Sequence, residues 1–86
     1  MTDRTASDYV QDALMLGKWI AVTDQTGVVH WFKSAEHVVN RQWIHHRSDS
    51  EHSHLRPRAA VKSMVRARMP DLELREHGPE GIADDR

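Results

Sequence analysis

The sequence predicts a small single domain of the α+β class, with helices packed on a central antiparallel β-hairpin. The expected order is α-β-β-α-α, and a short C-terminal strand can be added to it. Three observations lead there. Residues 18–33 carry a hairpin pattern, apolar residues recur at helical spacing on either side of it, and Gly or Pro punctuates the ends of those stretches.

In chain order, Thr5-Ala6-Ser7-Asp8 has the pattern of a helix start, with Thr5 or Ser7 as N-cap and Asp8 favourably placed against the helix dipole. A first helix over Asp8–Leu16 puts Val10, Ala13 and Leu14 on one face, and Gly17 suits the left-handed position that closes it.

The stretch Lys18–Lys33 follows, with two runs rich in Val, Ile, Trp and Phe flanking Asp24-Gln25-Thr26-Gly27. A type I turn with Gly27 in the left-handed region pairs Asp24 with Val28 and fixes every later pair. One face then carries Ile20, Val22, Val28, His30 and Phe32, and the other carries Trp19, Ala21, Thr23, Val29 and Trp31. Both faces are largely apolar, so either helices cover both or one is kept for a partner.

Ser34 can cap a second helix running to about Arg47, with Ala35, Val38, Val39 and Trp43 as its apolar stripe. The polar, Ser-rich stretch 47–55 reads as a loop. Pro57 suits the first turn of a third helix over Pro57–Arg68, with Val61, Met64 and Val65 facing inward and Pro70 ending it. Residues 71–75 alternate and can form a short strand. Residues 1–76 thus form the domain, and 77–86 have the composition of a disordered acidic tail.

A chain of 86 residues buries only about 60–65% of the surface it exposes when unfolded, so its core is small. The absence of cysteine removes disulfides and thiolate metal sites as sources of stability. The longest apolar runs, ALML and WIAV, fall far short of the roughly 18 residues of a membrane span, so the expectation is a cytoplasmic protein with no membrane partner. The net charge of −1 conceals an asymmetry. Residues 41–68 hold seven Arg or Lys against Asp49 and Glu51, whereas residues 71–86 hold six acids against Arg75 and Arg86.

No catalytic constellation and no phosphate-binding glycine loop is present, so neither an enzyme nor a bound cofactor is expected. Trp19 and Trp31 flank the small Ala21 on one hairpin face, with Lys33 at the strand end, and form an aromatic shelf suited to binding hot spots. In a domain this small, such tryptophans more often serve the core. Arg58, Lys62 and Arg66 recur every four residues on the third helix, with Arg68 nearby. That stripe can track phosphates, although such stripes are usually solvated faces. A turn of about three or four residues would be needed for a DNA-binding helix-turn-helix, and the connection expected here is twice as long.

Seven histidines include His45, His46, His52 and His54 within ten positions, of which His46, His52 and His54 are weak metal candidates. His30 belongs among hydrogen-bonded core histidines rather than catalysts.

The leading expectation is therefore a small regulator or inhibitor, of the kind phages and mobile elements encode. It would bind a host or cognate protein, foremost one of a nucleic-acid-handling machine. Direct binding of DNA or RNA by the third helix is the alternative, metal binding the second alternative, and an open sheet edge allows a homodimer.

Overall fold

The computed structural model describes residues 5–34, 42–68 and 72–79. They form helix α1 (Ala6–Leu16), strands β1 (Trp19–Thr23), β2 (Val29–Ser34), β3 (Gln42–Arg47) and β4 (Ser53–Pro57), helix α2 (Arg58–Arg68) and strand β5 (Leu72–Arg75). The five strands make one antiparallel sheet in the order β4-β3-β2-β1-β5, so the domain is α+β.

Local chemistry accounts for α1. Thr5 caps it through a capping box, its Oγ1 accepting from the Asp8 N–H at 3.2 Å while Asp8 Oδ2 accepts from the Thr5 N–H at 2.9 Å. Gly17 closes the helix at φ 66°, where a side chain would be strained, and donates its N–H to the Ala13 carbonyl. The hairpin has the expected register, with Thr23 opposite Val29, Val22 opposite His30, Ala21 opposite Trp31 and Ile20 opposite Phe32. Its turn is held by the Asp24 N–H donating to the Val28 carbonyl and by Gly27 at φ 90°. Asp24 Oδ1 adds to this by accepting from the Thr26 N–H at 2.8 Å, the Thr26 hydroxyl at 2.6 Å and the Val28 N–H at 3.1 Å.

The expected second helix is corrected. Ser34 is the last residue of β2 rather than a cap, residues 42–47 are strand, and the remainder of that expected helix, 35–41, lies outside the described residues. Trp43 reaches the core from β3 and not from a helical stripe. The 47–55 loop is corrected as well, because β4 starts at Ser53 and leaves a tight turn that Ser48 ties back to Val29 through two hydrogen bonds. Long-range pairing outweighs local propensity here: β2 offers an unpaired edge, and β3 satisfies its backbone groups.

Helix α2 starts one residue later than the sequence suggests, with Pro57 ending β4. The short fifth strand forms and pairs with β1. Gly78, assigned by composition to the acidic tail, lies against the Trp19 ring, whereas residues 80–86 lie outside the described residues.

Both helices lie on one face of the sheet. Val10 and Ala13 of α1 and Val61 and Val65 of α2 pack on Ile20, Val22, Phe32 and Trp43, each with at most 1% of its surface exposed. Fully burying such side chains contributes about 1.5–3 kcal/mol each, which makes this layer the main source of stability. Among the described residues, no helix is long and apolar enough to cross a membrane.

Candidate functional site

The opposite face of the sheet is covered by no helix among the described residues. By the strand register it carries Trp19, Ala21 and Thr23 of β1, Val29, Trp31 and Lys33 of β2, Ile44 and His46 of β3, Leu55 of β4 and Glu73 and Arg75 of β5. β2 is the central strand, so Trp31 stands near the middle of this face. It is half-buried, with its ring edge-on to Trp19 at 6.3 Å between centroids and the Arg75 guanidinium 5.6 Å above it. Because Ala21 is small, a shallow hollow of about 300 Å³ opens beside Trp31, walled by Val29, Glu73 and Arg75. Arg75 Nε donates to Glu73 Oε1 at 2.8 Å, so the two charges on this rim are paired.

The two tryptophans share a face, as the register requires, yet differ in burial. Trp19 is fully buried beneath Gly78 and Trp31, and Lys33 Nζ lies 5.6 Å from its ring centroid. Lys18 and Glu76, 4.0 Å apart, help hold the residues after β5 in that position. The shelf therefore reduces to Trp31 and its surroundings.

The seven residues expected to bind a partner do not come together. Trp19, Trp31 and Lys33 belong to the open face, while Arg58, Lys62 and Arg66 belong to α2 in the helix layer on the other side. Arg58 donates to Gln11 Oε1 of α1 at 2.9 Å, Lys62 is half-buried and Arg66 is exposed. The Arg68 side chain lies outside the described residues. The weak metal candidates are likewise dispersed. His46 Nδ1 lies 3.1 Å from Ser53 Oγ on the open face, His54 is on the helix-side face, and His52 is in the turn before β4. Among the described residues no three metal-ligating side chains converge.

A buried polar chain crosses the helix-side face, and its residue types gave little sign of it. His30 Nε2 lies 2.9 Å from Asp24 Oδ2, His30 Nδ1 lies 3.0 Å from His45 Nε2, and Arg56 Nε donates to His45 Nδ1 at 3.4 Å. Arg56 can only donate, which makes His45 Nδ1 an acceptor and leaves the proton of the neutral ring on Nε2. That proton is donated to His30 Nδ1, and His30 Nε2–H is donated to the Asp24 carboxylate. The two imidazoles thus join a guanidinium to a carboxylate with every ring nitrogen engaged, and no ring nitrogen is presented to a substrate. His45 is 3% exposed and stacks on Phe32 at 4.6 Å. Burial pushes its pKa down to about 4, helped by the nearby His30, Arg56, His54 and Arg47. Hydrogen bonds from Thr26 and then from His30 hold Asp24 well below the ordinary carboxylate range.

The signal for this chain was present in the hairpin register, which put His30 beside Asp24. His45 was hidden because a helical reading of 34–47 pointed it elsewhere.

Comparison of the chain with protein-family models, with characterised proteins and with solved structures finds no match.

Proposed function

We propose that the protein is a small non-enzymatic regulator that binds another protein through the open face of its sheet, with Trp31 as the anchor. The observation that carries this reading is the position of Trp31: half-buried, on the central strand of a face that no described helix covers, beside a hollow floored by Ala21. Binding hot spots favour tryptophan and arginine near the centre of an interface, which is the arrangement of Trp31 and Arg75. Charge favours a protein over a nucleic acid at this face. Its strands contribute Lys33 and Arg75 against Glu73, and one of those cations is already paired, so few phosphates would be neutralised there.

The test is affinity capture from the source cell with three baits: the parent, Trp31→Ala, and a triple variant with Arg58, Lys62 and Arg66 changed to Ala. The reading expects a protein retained by the parent and the triple variant and lost with Trp31→Ala, whose affinity falls by about 2 kcal/mol with the fold intact by circular dichroism. Retention of the same protein by folded Trp31→Ala refutes it. Loss with the triple variant, together with a salt-dependent gel shift on random DNA, points to nucleic acid instead.

A further inference from the structure

The far edge of the sheet has a chemistry of its own. β4 is the outermost strand, with β3 on one side and, among the described residues, nothing on the other. Four of its five residues are exposed, including Leu55 at 59%, and it runs directly into α2, which packs beside it. From His52 to Arg68 the chain contains five Arg or Lys and no Asp or Glu, so this edge and the helix flanking it carry only positive charge. The other edge differs: β5 bears Glu73 and Arg75 bonded to each other, and Glu76 follows.

We infer that the outer edge of β4 is a strand-addition site for an extended acidic peptide. An added strand satisfies the outward N–H and C=O groups of β4 and continues the sheet. Its side chains alternate between the faces that β4 itself defines. Leu55 lies on the open face and His54 and Arg56 lie on the helix side, as their opposite numbers Ile44, His45 and Trp43 in β3 require. The matching strand therefore sets an apolar side chain beside Leu55 and carboxylates beside His54 and Arg56, an acid–apolar–acid alternation.

The same chemistry argues against a second copy of this chain as the occupant. A two-fold β4–β4 pairing centred on Leu55 sets His54 against Arg56 of the other copy, with no acid between them. Pairing β4 with β5 of another copy sets Glu73 or Arg75 beside Leu55, and leucines beside His54 and Arg56. Nucleic acid fits less well than an acidic peptide. Arg56 and Arg58 are half-buried and donate to His45 and Gln11, Lys62 is half-buried, and phosphate tracking gains nothing from an exposed leucine or an open backbone edge. A peptide strand lies at strand spacing, about 4.8 Å from β4, and meets these cations where they stand.

The experiment titrates the isotope-labelled full chain, followed by NMR, with a capped synthetic peptide of about eight residues that alternates glutamate with valine or leucine. A second peptide of identical side chains carries N-methyl groups on alternate amides, and a third replaces glutamate by lysine. The expected result is saturable movement of the 53–57 amides with slowed exchange in β4. Affinity should fall about tenfold on N-methylation and vanish for the lysine peptide, because the main-chain pairing and the charge are separately required. Equal binding of the N-methylated peptide, shifts centred on Trp31 and Arg75, or no shift at millimolar peptide would each overturn the inference. A short DNA duplex that moves the same resonances more tightly than the acidic peptide would overturn it too.

Discussion

Acidification tests the buried chain from Arg56 through His45 and His30 to Asp24. In the folded protein His45 is held down to about 4 from an ordinary 6.5, first by burial and then by the neighbouring His30 and Arg56. An unfolded chain frees that ring to bind a proton below about pH 6.5, while the folded protein refuses it until about pH 4. The unfolded state therefore holds more protons across this window, and stability falls as pH falls through it. At about 1.4 kcal/mol per pH unit the loss approaches about 3 kcal/mol by pH 4, a large part of the stability of a domain this small. Urea unfolding at about pH 7.5 and about pH 4.5, followed by tryptophan fluorescence, reads this directly. The control is His45→Gln, whose amide oxygen can accept from Arg56 and whose amide nitrogen can donate to His30 without titrating. Its slope against pH should be shallower than the parent's by up to one proton. A parent of equal stability at both pH values, or a His45→Gln slope identical to the parent's, refutes the reasoning. Asp24 acts in a lower window. Its contribution is complete above the ordinary carboxylate value of 3.8 and declines only as pH falls below it, so the two groups separate in a full pH profile.

Two further substitutions test the packing. Gly78→Ala places a methyl group into the Trp19 indole, and overpacking of this kind costs about 1–3 kcal/mol; a lower thermal midpoint with a red-shifted tryptophan emission is expected, and an unchanged midpoint means that 76–79 does not cover Trp19. Trp43→Ala empties the centre of the helix-side core, where Trp43 is 1% exposed, and should cost about 3–5 kcal/mol; a loss below about 1 kcal/mol in urea unfolding would return β3 to the surface.

The parts of the fold legible in the sequence are those whose cause is local. Asp24 and Gly27 specify the turn, the turn specifies the register, and the register sorts Ile20, Val22, His30 and Phe32 from Trp19, Ala21 and Trp31. Thr5, Gly17 and Pro57 similarly mark ends that lie within two residues of the observed ones. β3 and β4 were not legible because their cause is remote. In Gln42–Arg47 the two large apolar residues, Trp43 and Ile44, are adjacent and point to opposite faces, so no alternation shows, and Trp43 happens to continue a helical spacing from Ala35. β4 has one aliphatic side chain, and it is exposed. Both strands exist because β2 supplies an edge to pair with, which no window of the sequence displays. The site divided in the same way: Trp31 was placed on its face correctly, while the burial of Trp19 depends on Gly78, nearly sixty positions later in the chain.

The extent of the open face follows from dimensions. Five strands at about 4.8 Å spacing span about 19 Å between the outer backbones, and two helices side by side, each about 10 Å across, cover that width once. With α1 and α2 both committed to the layer of Ile20, Phe32 and Trp43, the described elements include no third helix for the other side. The short segment 76–79 reaches Trp19 on β1 and shields it, but Trp31 lies one strand further in and is only partly buried. Part of the Trp31 ring serves the domain itself, because it packs edge-on over the buried Trp19. The remainder of the ring, on the central strand beside the Arg75 guanidinium and the hollow, is the surface that the proposed partner would cover.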